Sequence, residues 1–364
     1  MIIAIVIIVA LVAATYIYLR QPVFGKPATA HRLTQMQASA HYKNGQFLNQ
    51  SYTPQLAEGV SMPKIMRDFI FNKNERSKPA GIMPSVQTNL KQIPADENVL
   101  VWFGHSSYFI QVDGKKILVD PVFSGHASPV SFSTKSFNGS NTYGVADMPD
   151  IDYLIISHDH YDHMDYETVL QLKDKVRLVI TGLGVGAHLE RWGYDPKIII
   201  EKDWNQEIKL DNDFVVYTTP ARHFSGRSLK RNNTVWSSFV LSAPSIKIFI
   251  GGDSGYDTHF AEIGSKYGPF DLAILENGQY NLAWKYIHML PEQVVQAAQD
   301  LKAKVLLPVH WAKFSLSLHA WDEPINRVTT EAELKHQPLI HPMIGEVVQL
   351  NNLKAGNKWW KEVK

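Results

Sequence analysis

Residues 2 to 19, IIAIVIIVALVAATYIYL, carry no charged side chain. At about 1.5 Å per helical residue such a run reaches roughly 27 Å, close to the hydrocarbon thickness of a bilayer. A helix apolar on every side needs lipid or a large core around it. Two readings follow: a retained membrane anchor, or a secretory signal with Val12-Ala13-Ala14 as its small-residue cleavage site. The missing basic n-region favours the anchor. Arg20, Lys26 and Arg32 follow the run and no Lys or Arg precedes it, so the positive-inside rule favours a cytoplasmic body without excluding export.

Beyond the anchor, residues 21 to 97 are rich in Pro, Gln, Asn and Ser and show little sustained periodicity; they read as a linker and N-terminal extension. Within them, Met62 to Phe71 reads as a short helix. At Val99 the pattern sharpens into VLVWF, SYFIQV, the turn Asp113-Gly114 and KKILVD, a hairpin-rich sheet. Apolar, β-rich runs then recur at 153–157, 176–180, 197–201, 214–219, 237–242, 246–251, 272–276 and 304–309. Helical patterns lie between them, one capped by Asp165 and one opened by Pro291. The chain therefore divides into an anchor or signal over 1–20, an extension over 21–97, one mixed α/β (α+β) domain over 98–350 and a tail over 351–364.

The candidate chemistry lies where these runs end. His158-Asp159-His160-Tyr161-Asp162-His163 directly follows the strand YLIIS. In an extended turn His158 and His160 project to one side, while Asp162 and His163 turn toward a second point, so one loop serves two ions. His223 follows FVVYTT, Asp253 follows IKIFIGG and His310 follows KVLLPV, each just past the C-terminal end of an apolar strand, where open α/β sheets gather functional groups. We assign His158, His160 and His223 to one ion, Asp162, His163 and His310 to the other, and Asp253 as the bridge. The chain has no Cys, so every ligand is nitrogen or oxygen, a set that suits two Zn²⁺ and tolerates Fe or Mn. Water shared by two such cations loses its proton near neutral pH, and attack by the bridging hydroxide makes the reaction a hydrolysis.

These residues resemble the metallo-β-lactamase superfamily, whose signature is the His-x-His-x-Asp-His loop. The similarity is closer to the branch containing N-acyl-phosphatidylethanolamine-hydrolysing phospholipase D. It rests on VWFGHSSYFIQVDGKKILVDPVFSGHASP (101–129), ISHDHYDHMD (156–165), TPARHFSGR (219–227), FIGGDSGY (249–256), IGSKYGPFDLAIL (263–275) and PVHWAKF (308–314). The resemblance implies a four-layer αββα sandwich, two zinc ions and a phosphodiesterase of phospholipase D type acting on an N-acylated phospholipid. Residues 276–280, GluAsnGlyGlnTyr, depart from the branch, and nothing before residue 98 matches it.

The resemblance also places a histidine near the reaction centre at His288, which either orients substrate or a leaving-group oxygen or packs outside the centre. His105 and Asp120 sit at strand ends, where a carboxylate accepting a ligand imidazole N–H is expected. Arg222, Arg227, Lys230 and Arg231 surround His223 and are candidates to clamp a phosphate, or form a solvated basic loop. Tyr280, Trp284 and Tyr286 either line an acyl groove or pack on the sheet. Two functions compete with the lipid phosphodiesterase: a small-molecule lactonase or phosphodiesterase of the same superfamily, and a non-catalytic, membrane-tethered metal-binding scaffold. With 36 Lys and Arg against 35 Asp and Glu, the net charge of +1 gives no general footprint for nucleic acid, and no nucleic-acid partner is expected. Oligomeric state stays open.

Overall fold

The computed structural model describes residues 1–211 and 213–363. After a small hairpin of β1 (Tyr42–Lys43) and β2 (Gln46–Phe47), the strands are β3 (Val99–Trp102), β4 (Tyr108–Val112), β5 (Lys115–Val119), β6 (Ile151–Ile156), β7 (Val176–Gly182) and β8 (Ile199–Lys202). They continue as β9 (Glu207–Lys209), β10 (Val215–Pro220), β11 (Ser237–Ser242), β12 (Lys247–Ile250), β13 (Phe270–Glu276), β14 (Ala303–Val309) and β15 (Val347–Gln349). One sheet runs β15-β3-β4-β5-β6-β7-β8, the other β14-β13-β12-β11-β10-β9. The β4–β5 turn places Asp113 and Gly114 at φ +46° and +75°, the left-handed pair that a two-residue hairpin of this twist requires.

Alternation along the first sheet shows how the layers are built. Leu100, Ile110, Ile117, Tyr153, Ile155 and Ile180 face the second sheet, while their neighbours Val101, Phe109, Leu118, Leu154, Ile156 and Val179 face outward into a separate apolar cluster. Every one of these positions is buried, because helices cover the outer face. The helices are α1 (Ile2–Leu19), α2 (Ala30–Gln37), α3 (Met62–Phe71), α4 (Tyr166–Leu172), α5 (Gly186–Arg191), α6 (His259–Lys266), α7 (Pro291–Asp300) and α8 (Glu323–Leu334). Val169, Leu172 and Leu189 of α4 and α5 join the outer cluster of the first sheet. Phe260, Val294 and Val328 of α6, α7 and α8 join the core with the second sheet. The result is an αββα sandwich.

α1 is long and apolar enough to cross a membrane, and none of its residues is buried. The extension that follows it lies along the body: the Asn49 amide donates to the His223 carbonyl at 2.7 Å and the Thr88 hydroxyl to the Gly345 carbonyl at 2.6 Å. At the other end of the chain, Trp359 and Trp360 are buried, both against Trp311.

Lys313 is buried in this fold, donating to the carbonyls of Phe103 and Val122 at 3.2 and 2.8 Å. Burial pushes its ammonium down to about 7, against Asp165, which pulls it up. Above about pH 7 the unfolded chain therefore holds a proton that the folded chain has lost, and stability rises with pH until the ordinary lysine range is passed. Denaturant unfolding between pH 6 and 9 should show wild type gaining up to about 1.4 kcal/mol per pH unit over Lys313→Met. Parallel pH profiles for the two proteins would refute that assignment.

Candidate metal centre

The C-terminal ends of β6, β10, β12, β13 and β14 converge at one end of the sandwich, and the residues that follow them form the site. β5 and β6 run parallel with Val119 opposite Ile155, which brings Asp120 beside Ser157. The Asp120 carboxylate accepts from the Ser157 backbone at 2.8 Å, from the Ser157 hydroxyl at 2.6 Å and from the His163 Nδ1 at 2.8 Å. The loops after β3 and β14 brace each other, His310 N donating to the His105 carbonyl and His105 N to the Trp311 carbonyl, both at 2.9 Å. His105, Asp120 and His310 all take left-handed backbone, at φ +52°, +42° and +70°. Such conformations cost of order 1–3 kcal/mol each and persist where the surroundings dictate them. Gly252, at φ +60°, lets the chain pass Ser157 on its way to Asp253; a Cβ there would lie 2.9 Å from the Ser157 Cβ.

Two groups of ligand atoms result. His158 Nε2 and His223 Nε2 lie 2.9 and 3.3 Å from His160 Nδ1. His223 Nδ1 faces the Ile287 carbonyl at 2.8 Å, which leaves Nε2 for that group. The second group joins Asp162, His163, His310 and His105, all within ligand-to-ligand reach. Asp253 stands between them, Oδ2 at 3.2 Å from His163 Nε2, 3.9 Å from His158 and 3.8 Å from His223, and Oδ1 at 3.2 Å from His310 Nδ1.

The electrostatics suit cations. Burial pushes His158, His223 and His310 well below the ordinary imidazole range, so they are neutral, as metal ligands must be. Burial alone would raise Asp253, but the neighbouring His163 outweighs it and holds the carboxyl well below the ordinary carboxylate range, while Asp253 and Asp162 in turn lift His163 above the ordinary imidazole range against its burial. His163 Nε2 and Asp253 Oδ1 are buried without a hydrogen-bond partner. Orphaned atoms of that kind are costly unless something binds them, and a divalent ion satisfies both. The seven residues predicted from sequence to be ligands therefore fit a metal pair.

A cleft of about 280 Å³ opens over these groups. Its lining includes His160, Asp162, His223, Asp253, His288 and His310 together with an apolar cluster of Leu56, Ile65, Phe69, Trp284 and Ile287. His288 donates or accepts at 3.0 Å with Glu276 Oε2, leaving Nε2 for the cleft. Burial lifts Glu276 to about 7, opposed by His288. Sequence reasoning missed Glu276, which lies in the stretch set aside at 276–280, and missed the apolar wall of α3.

Other sequence expectations are corrected. Arg227 does not face the cleft. Its guanidinium is buried and spends its donors on the carbonyls of Val23, Asp159 and Met164. Arg222 is likewise taken by Thr53, Tyr52 and Tyr256, and its guanidinium lies 4.9 Å from the Tyr286 ring centroid. Tyr280 stacks on His319 and donates to Glu323, away from any acyl groove. Of the basic run, Arg231 lines the cleft, and of the aromatic trio, Trp284 does. His105 meets Asp162 at 3.0 Å through Nε2.

A His and Asp cluster able to hold metal at the strand ends of an αββα sandwich is the arrangement of a metal-dependent hydrolase. The chain belongs to the beta-lactamase superfamily, whose domain matches residues 115–311. An uncharacterized protein of Mycobacterium tuberculosis is 37% identical over 327 residues, 89% of this chain and 88% of that one. The Caenorhabditis elegans N-acyl-phosphatidylethanolamine-hydrolyzing phospholipase D 1 is 26% identical over 265 residues, 68% of this chain and 74% of its own. Among solved structures, the metallo hydrolase Igni18 of Ignicoccus hospitalis shares the fold, with a TM-score of 0.54 at 20% identity over 70% of this chain and 98% of that one.

Proposed function

We propose that this chain is a membrane-anchored dizinc phosphodiesterase that cleaves an N-acylated phospholipid on the headgroup side of phosphorus, as a phospholipase D does. The observation that carries the reading is the cleft itself. Two ligand groups meeting at Asp253 share its lining with an apolar cluster of Ile65, Phe69, Trp284 and Ile287 fit for acyl chains, and Arg231 supplies a cation at the same cleft. The similarity to a phospholipase D over two thirds of the chain supports it.

His158, His160 and His223 would hold one ion, Asp162, His163 and His310 the other, with Asp253 placed between the two groups. Two divalent ions there supply Lewis acidity toward a phosphoryl oxygen and acidify water. Asp120 fixes the His163 tautomer by accepting its Nδ1–H. His288, oriented by Glu276, stands in the cleft with a free Nε2 to protonate a leaving alkoxide. Ile65, Phe69 and Trp284 exclude water from the acyl side of the cleft. α1 keeps the body at the membrane that supplies the lipid, with Arg20, Lys26 and Arg32 on the cytoplasmic side.

The test uses the full chain in vesicles containing N-acylphosphatidylethanolamine. Phosphatidate and N-acylethanolamine should appear, stop on chelation with dipicolinate and return with zinc, and mass spectrometry should count about two metal ions per chain. Turnover of a lactone or a water-soluble phosphodiester, with the lipid left intact, would remove the lipid reading and leave the hydrolase.

A further inference from the structure

α3 has two apolar faces, and only one is used inside the protein. Ile65 and Phe69 turn inward, where the Phe69 ring lies 6.1 Å from and parallel to Trp284, and both residues line the cleft. On the outside, Met66, Ile70 and Phe71 are 60%, 69% and 75% exposed. Leu282, two residues before Trp284, is 69% exposed as well. Lys64 and Arg67, exposed on the same helix, put positive charge beside this surface, while Lys73 turns its ammonium over the Phe69 ring at 5.9 Å. A helix with large apolar residues turned to solvent beside basic ones is built for a lipid interface rather than for water.

The root of the apolar helix α1 is fixed beside the same loop that borders the cleft. Tyr18 packs edge-on against Phe24 at 5.0 Å between ring centroids, and Tyr161, between His160 and Asp162, donates to the Arg227 carbonyl at 2.5 Å. Residues 20 to 25 are then clamped to the body: Arg191 donates to the carbonyls of Gly25 and Arg20, Trp192 Nε1 to that of Pro22 at 2.8 Å and Arg227 Nε to that of Val23 at 3.0 Å. Arg227 also donates to the Asp159 and Met164 carbonyls at 2.8 and 2.6 Å, at either end of the ligand loop. Residues 20 to 25, which follow α1 directly, are therefore held against the ligand loop by a set of side-chain hydrogen bonds, the two from Arg227 to the loop being buried.

We infer that the outer face of α3 docks into the bilayer that carries α1, so that the cleft opens onto lipid and acyl chains pass along α3 from membrane to site. Met66, Ile70 and Phe71 enter the acyl boundary, and Lys64 and Arg67 meet the phosphates above it. The inference rests on reading α1 as a retained anchor and is independent of which lipid is cleaved.

The chain has no cysteine, so single thiols report single positions. Met66→Cys and Ile70→Cys, labelled with an environment-sensitive fluorophore, are compared in the full chain with Lys304→Cys at the far end of β14. In vesicles of phosphatidylcholine and phosphatidylglycerol with brominated acyl chains, quenching at 66 and 70 should exceed that at 304 by about threefold. Equal quenching at all three positions, in protein that still floats with the vesicles, would overturn the docking. So would a concentration-dependent blue shift at 66 and 70 without bromine quenching, which would show a second copy of the chain on α3. A combined Met66→Ser, Ile70→Ser, Phe71→Ser variant should lose about tenfold in turnover of vesicle-embedded substrate and keep its turnover of bis-p-nitrophenyl phosphate. Equal loss on both substrates would also overturn it. Insertion of the probes in a protein that cleaves neither substrate would sustain the docking and discard the phosphodiesterase reading.

Discussion

Asp253→Asn should lower turnover by on the order of 10³-fold and release much of one metal ion, while the fold stays intact. The residue faces both ligand groups, within 3.2 Å of His163 on one oxygen and 3.2 Å of His310 on the other. Asparagine keeps its shape and removes its charge, and it turns an N–H₂ donor toward a place built for cations. Several kcal/mol of charge stabilisation then disappear from the point where the two groups meet. Metal content by mass spectrometry, turnover and circular dichroism measured together separate this from unfolding. A variant with full metal occupancy and a loss below about tenfold would show that Asp253 does not bridge.

That His158, His160, Asp162, His163, His223, Asp253 and His310 would meet was legible in the sequence because their positions obey a local rule. Each follows an apolar strand run, and parallel strands deliver their C-terminal ends to one edge. Sheet alternation was not visible, since β3 to β7 are apolar on both faces and only the structure sorts their residues into an inner and an outer cluster. What stayed hidden depends on partners far away in the chain. The basic run around His223 gave no sign that Arg227 would spend its donors on the backbone of residues 23, 159 and 164, because carbonyl acceptors leave no trace in residue type. The helix over Met62–Phe71 was predictable, yet its role was not: Phe69 meets Trp284 across more than two hundred residues. Glu276 escaped because one carboxylate at a strand end gains meaning only when His288 closes on it at 3.0 Å.

The same geometry makes Asp120→Asn the sharper probe of how one ion is held. Asp120 touches no ion in the proposed arrangement; it accepts three hydrogen bonds, two from Ser157 and one from His163 Nδ1. Asparagine tolerates the left-handed backbone that position 120 requires, so the main chain has no reason to move. With a single acceptor oxygen in place of two, at least one buried donor loses its partner, a penalty of about 1–3 kcal/mol. The His163 tautomer and orientation are no longer fixed, and affinity for the ion at Asp162, His163 and His310 should fall by about 10- to 100-fold. The ion at His158, His160 and His223 should be nearly untouched, since His223 takes its orientation from the Ile287 carbonyl instead. Competition with graded chelators would therefore resolve two classes of metal, one weakened, and saturating zinc should restore much of the lost turnover. A variant that melts earlier but binds both ions as tightly as wild type would make Asp120 a strut of the β5–β6 edge and nothing more.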